Sequence, residues 1–152
     1  MKTSDKYRTA ANLANLTFNL LAICQEKEAR LAKKHGLYQA EFKCLRQFGA
    51  YESVNNKQIS KQMNLSPSRL TRVIDGLVRK GYMQREIDKS DRRAMKITLS
   101  EKGNILTEKL NKDFIDIHYE ILQDIDTSQH DSLITAMEHL HSAIERWLGK
   151  SK

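Results

Sequence analysis

Apolar residues return along this chain at two different intervals, and the change of interval marks out its elements. From Asp5 to about Lys34, Leu13, Leu16, Leu20, Cys24 and Leu31 are spaced by three, four or seven positions, which predicts a long amphipathic helix closed by Gly36. A second helix is predicted from about Tyr38 to Phe48, with Phe42, Leu45 and Phe48 on one stripe and a break at Gly49. A third starts at Asn55-Asn56-Lys57-Gln58, where Asn55 can cap the first free amides and Gln58 can reach back to complete a capping box. Ile59 and Met63 form its short buried face.

Ser66-Pro67 is a strong start signal for a fourth helix. A serine hydroxyl accepts from amides that lack helical partners, and proline has no amide to lose at the first helical position. Leu70, Val73, Ile74, Leu77 and Val78 follow the helical repeat towards Lys80, leaving Ser68, Arg69, Thr71, Arg72, Asp75 and Arg79 on the other face, and Gly81 closes the element. Over 82–99 the interval drops to two: Met83 and Ile87 alternate against Gln84 and Glu86, and Met95, Ile97 and Leu99 against Lys96 and Thr98. This predicts a hairpin whose charged tip is Asp88-Lys89-Ser90-Asp91-Arg92-Arg93.

Ser100 is placed to cap another long helix, on which Leu106, Leu110, Phe114, Ile117 and Ile121 form a narrow stripe. Asp126-Thr127-Ser128 starts a last helix carrying Leu133, Met137, Leu140, Ile144 and Trp147. Stripes so narrow are like coiled-coil seams. With the first helix they make three long helices for which one chain offers limited covering surface, so a homodimer is expected in preference to a monomeric bundle. The fold class is then mainly α with a small β-hairpin.

Length and composition agree with a single folded domain: 152 residues can bury roughly 68–70% of the surface of the unfolded chain. Charge adds more. Residues 55–103 hold 12 Lys and Arg against five Asp and Glu, a net +7, whereas the remainder is balanced at 14 against 14. A positive excess confined to one third of the chain is an electrostatic footprint for a polyanion, the bland alternative being a solvated face. A membrane-surface role would need a basic helix with a wide apolar face. The segment Leu13 to Cys24 is interrupted by Asn15, Thr17 and Asn19, so neither a targeting signal nor a membrane span is expected. Two cysteines twenty positions apart form no zinc pattern or disulfide framework, which favours a reducing cytoplasm and no metal or cofactor.

Two short helices joined by a tight turn and followed by a hairpin put a capped, basic helix beside a basic tip. An α-helix fits the major groove of B-DNA, where residues near its N-terminus reach base edges and its positive dipole end favours phosphates. Ser68, Arg69, Thr71 and Arg72 occupy that position. An extended arginine at the hairpin tip suits the narrow, electronegative minor groove, and Asp91, two residues before Arg93, can hold its guanidinium by a charge-assisted hydrogen bond.

At this point the sequence resembles the MarR family of bacterial winged helix-turn-helix regulators. The similarity lies in the run Asn64-Leu65-Ser66-Pro67-Ser68-Arg69-Leu70-Thr71-Arg72-Val73-Ile74-Asp75-Gly76-Leu77-Val78-Arg79-Lys80-Gly81-Tyr82, then Asp91-Arg92-Arg93, then Ile97-Thr98-Leu99-Ser100-Glu101-Lys102-Gly103. The resemblance implies one domain over 1–152, with 1–36 and 104–152 as dimerisation helices and 37–103 as a winged helix-turn-helix lobe. It implies a homodimer on double-stranded DNA at an inverted-repeat operator, each recognition helix in a major groove and each wing in a minor groove. By motif position, Ser66, Ser68, Arg69, Thr71 and Arg72 are recognition-helix candidates, and Asp91, Arg92 and Arg93 belong to the wing. Gly76 departs from the pattern, which usually has a longer side chain there; either another group approaches closely or the helix is slightly weakened. The family commonly acts by repression relieved by a small phenolic or aromatic effector, but no residue here matches a shared effector motif.

Some relatives of this kind sense oxidants through a cysteine near the start of the first helix; Cys24 lies well inside that helix and is the candidate for an alternative, oxidant-sensing regulator. Cys24 on the stripe of its helix and Cys44 beside that of the second are instead expected to be buried structural thiols. The histidines at 35, 118, 130, 139 and 141 make no dense ligand set. Nothing assembles a nucleophile with a base or a carboxylate pair, so no enzyme is expected. A helical adaptor that binds only protein would leave the confined basic surplus without a role.

Overall fold

A computed structural model describes residues 3–49, 56–87 and 95–150. The elements are α1 (Thr3–Lys34), α2 (Gln39–Gly49), α3 (Asn56–Met63), α4 (Pro67–Arg79), β1 (Met83–Ile87), β2 (Met95–Leu99), α5 (Glu101–Gln123), a single 3-10 turn (Thr127–Gln129) and α6 (His130–Lys150). The strands pair antiparallel, with Met83 opposite Leu99 and Arg85 opposite Ile97. The chain divides into two units, Met1–Asn111 and Lys112–Lys152.

The core of the first unit lies where the stripes of α2, α3 and α4 meet. Phe42, Leu45 and Phe48 of α2, Ile59 of α3 and Leu70, Ile74 and Leu77 of α4 are buried together with Met83, Ile97, Leu106 and Leu110. Tight joints hold α5 to the hairpin. The Ser100 hydroxyl accepts from the Gly103 amide at 3.0 Å and donates to the Gly81 carbonyl at 2.6 Å, while the Ser100 amide donates to the Tyr82 carbonyl at 3.0 Å. A Cβ at Gly103 would overlap that Tyr82 carbonyl, so only glycine lets the two backbones meet here.

The first helix departs from expectation in its burial. Only Leu31 and Ala32 of α1 are buried; Leu13, Leu16 and Leu20 are exposed, and Cys24 is half-buried rather than a core thiol. The physical reason is length, because the lobe's core reaches only the last turns of a 32-residue helix.

In the second unit, Asp126 starts the expected final helix, but through a 3-10 turn. Its carboxylate accepts from the Ser128 amide and hydroxyl, both at 2.9 Å, which holds its carboxyl below the ordinary carboxylate range. His130 Nε2 lies 2.9 Å from the Ile125 carbonyl and 3.1 Å from that of Leu122; two carbonyls can only accept, so this nitrogen donates. No residue of α6 is buried: Leu133 and Leu140 are half-buried, and Met137, Ile144 and Trp147 are exposed.

Candidate nucleic-acid interface

The turn between α3 and α4 is built from local chemistry. Asn64 takes a left-handed conformation with φ 52°, which asparagine tolerates better than most residues. The Leu65 amide then donates to the Ser60 carbonyl at 3.0 Å, and the Ser60 hydroxyl to the Leu65 carbonyl at 2.5 Å. Ser66, in extended conformation, accepts from the Arg69 amide at 3.3 Å and caps α4, with Pro67 at its first position. The expected cap of α3 by Asn55 falls outside the described residues.

Beyond that cap, Ser66, Ser68, Arg69, Thr71 and Arg72 are all exposed, while Leu70, Ile74 and Leu77 face inward. Their roles differ. The Ser66 and Ser68 hydroxyls are 3.2 Å apart, and Thr71 donates to the Pro67 carbonyl at 2.8 Å, so these hydroxyls already serve the backbone or each other. Arg69 and Arg72 form no ion pair among the described residues, which leaves their guanidiniums free to meet anions. A groove of about 670 Å³ runs beside the turn, lined by Lys57, Ser60, Lys61, Asn64, Leu65, Ser66 and Pro67. Lys57 and Lys61 were not singled out from the sequence, although their spacing of four puts both on the face of α3 opposite Ile59.

The strands of the wing are present as expected, and Arg85 of β1 pairs with Asp75 of α4. The tip residues Asp91, Arg92 and Arg93 lie outside the described residues. Behind the hairpin, the Lys102 ammonium donates to the Lys80 carbonyl at 3.1 Å and stands 4.8 Å from the centroid of the Tyr82 ring. Cys44 is fully buried, whereas the half-buried Cys24 accepts from the Lys27 ammonium at 3.9 Å. Among the described residues no three His, Cys, Asp or Glu side chains gather as a metal site, and no helix is long and apolar enough to cross a membrane.

Comparison with known proteins places this geometry. The family model described as the MarR family matches residues 37–95, from the entrance of α2 to the start of β2. The HTH-type transcriptional regulator SarZ of Staphylococcus haemolyticus (strain JCSC1435) is 31% identical over 112 residues, which cover 72% of this chain and 74% of SarZ. The chain belongs to the MarR family. The similarity of fold extends well beyond the matched segment. A MarR family protein of Bacillus stearothermophilus aligns with a TM-score of 0.82 at 19% identity, over 91% of this chain and 97% of that one. Reduced AbfR bound to DNA aligns with a TM-score of 0.68 at 19% identity, over 97% and 99% of the two chains. This MarR-family protein is accordingly a winged-helix regulator and not an enzyme.

Proposed function

We propose that this protein is a sequence-specific regulator of transcription that binds an imperfect inverted-repeat operator in double-stranded DNA as a homodimer. DNA binding in the general sense goes with the MarR family. The observation that carries the proposal is the outer face of α4, where Arg69 and Arg72 stand exposed within two turns of a serine cap. Helical amides and dipole there favour phosphates, and arginine can pair with guanine through two hydrogen bonds. Lys57 and Lys61 add positive charge beside the same turn. Asp91, Arg92 and Arg93 are assigned to a minor-groove wing on their sequence alone.

The exposed apolar residues Leu16, Phe18 and Leu21 of α1 and Met137, Ile144 and Trp147 of α6 support residues 1–36 and 104–152 as dimerisation helices, because a second copy would remove this surface from water. Residues 37–103 are then the DNA-binding lobe. Repression relieved by a small aromatic or phenolic effector, and a cytoplasmic location, complete the proposal. The half-buried Cys24, in contact with Lys27, supports a second reading as an oxidant-sensing regulator of the same fold.

Selection of bound fragments from the source genome tests the proposal. Enrichment of a two-fold symmetric site, with half-sites about 10 bp apart centre to centre, is expected. Recovery of unrelated fragments with no shared site would remove the sequence-specific reading.

A further inference from the structure

Glu41 is a charged residue only 3% exposed inside the lobe that carries α4. As the third residue of α2, it reaches back to close that helix: its Oε1 accepts from the Tyr38 amide at 2.9 Å. The same oxygen accepts from the Lys80 ammonium at 2.6 Å. Lys80 is the C-cap of α4, and it also donates to the Gly36 carbonyl at 3.1 Å and lies 5.0 Å from the centroid of the Tyr38 ring. One ammonium thus fastens the end of α4 to the turn between α1 and α2.

The other carboxylate oxygen lies against α4 one turn earlier. A Cβ built on Gly76 would come within 2.8 Å of Glu41 Oε2, closer than real side chains allow. With a side chain at 76, Oε2 would have to give way, straining the two hydrogen bonds that Oε1 accepts, or α4 would have to move. A buried carboxylate separated from its donors is costly, so movement of the helix competes with it. Gly76 lies seven residues beyond Arg69 and four beyond Arg72, spacings that share one side of a helix. Any shift of α4 at Gly76 is therefore carried along a stiff element to both arginines.

We propose that Glu41, Gly76 and Lys80 are positioning residues for DNA reading, a buried latch that sets how closely α4 sits on α2 and hence where Arg69 and Arg72 stand. The proposal rests on the DNA-binding function above. None of the three needs to touch a base.

The test measures affinity for the selected operator and for a random duplex of equal length at one salt concentration, with thermal melting in parallel, in wild type, Gly76→Ala, Glu41→Ala, Lys80→Met and the double variant Gly76→Ala/Glu41→Ala. Gly76→Ala should lose roughly tenfold to a hundredfold on the operator, the equivalent of one good base contact. Its random-duplex affinity, which depends on phosphate charge, should change less than about threefold. Lys80→Met should likewise lower the ratio of operator to random binding. In the Glu41→Ala background, Gly76→Ala should cost less than about twofold more and should raise the melting temperature, since alanine is the better helix former once the carboxylate is gone. Unchanged discrimination by Gly76→Ala, or losses that simply add between Gly76→Ala and Glu41→Ala, would overturn the latch. Should Gly76→Ala fail to fold, a folded double variant supports it and an unfolded one refutes it. A wild-type protein that prefers no duplex defeats the DNA-reading function and this positioning role with it; the melting comparison would then report only whether the packing clash exists.

Discussion

Arg85 of β1 is ion-paired with Asp75 of α4, so the first strand of the wing is tied to the helix that precedes it. Both side chains are about one third exposed, 34% and 38%, and water screens the pair. A double-mutant cycle with Asp75→Ala and Arg85→Ala should return a coupling below about 1 kcal/mol that shrinks as salt is added. A coupling several times larger and insensitive to salt would mean that the pair is desolvated.

The residues at the front of α4 should separate into two kinds. Arg69→Ala and Arg72→Ala should each weaken operator binding by about 1–3 kcal/mol with little change in melting, because both side chains are exposed and form no ion pair among the described residues. Ser66→Ala should instead lower stability by about 0.5–2 kcal/mol, since it removes the acceptor for the Arg69 amide. The wing assignment predicts for Arg93→Ala a binding loss like that of the two arginines. Calorimetric melts and fluorescence titrations on the selected site would distinguish the classes.

Salt should act strongly on the complex. Two copies of the basic block at 55–103 would neutralise on the order of 6–10 phosphates, which implies a fall of roughly 10³–10⁵ in affinity between about 50 and 200 mM salt. A nearly flat dependence measured on one duplex would contradict the electrostatic basis of the interface.

The two thiols should behave differently. Burial, aided by the nearby charge of Glu41, pushes the Cys44 thiol from its ordinary 9.0 up to about 12. The folded state thus favours the neutral thiol: this contribution to stability is intact below the ordinary value and is lost as the pH rises from about 9 through about 12. A thiol reagent at about pH 8 should label Cys24 in the native protein and Cys44 only after denaturant. Mild hydroperoxide should leave DNA binding intact; release that Cys24→Ser abolishes would establish the oxidant-sensing reading instead.

The proposed dimer is tested on α6. Leu140 is half-buried and Ile144 is 46% exposed in the single chain, so both are available to a second copy. Replacing both with Asp should yield a monomer by light scattering, or an unfolded chain, and in either case tight operator binding should be lost. A wild-type monomer at micromolar concentration would refute the dimer while leaving the winged helix in place.

Much of this architecture was legible in the sequence, because its signals act over a few residues. The Ser66-Pro67 start, the Ser100 cap, the change from helical to alternating spacing at the hairpin and the helical spacing of α2 and α4 all depend on near neighbours, and all are present. The exposed positions of Arg69 and Arg72 on α4 were legible for the same reason, whereas Lys57 and Lys61 beside the turn were not singled out. Burial of a stripe is a different matter, since it depends on what covers it: the spacing of Leu13, Leu16 and Leu20 correctly predicted a helix, yet within this chain those residues remain exposed. Glu41 carried no signal at all. An acidic residue near a helix start reads as solvated, and its partners Gly76 and Lys80 lie 35 and 39 positions away, so only the packing of α2 against α4 brings them together. The sequence left Gly76 with two explanations, and the tertiary structure selects the close approach, because a buried carboxylate occupies the space that a Cβ would need.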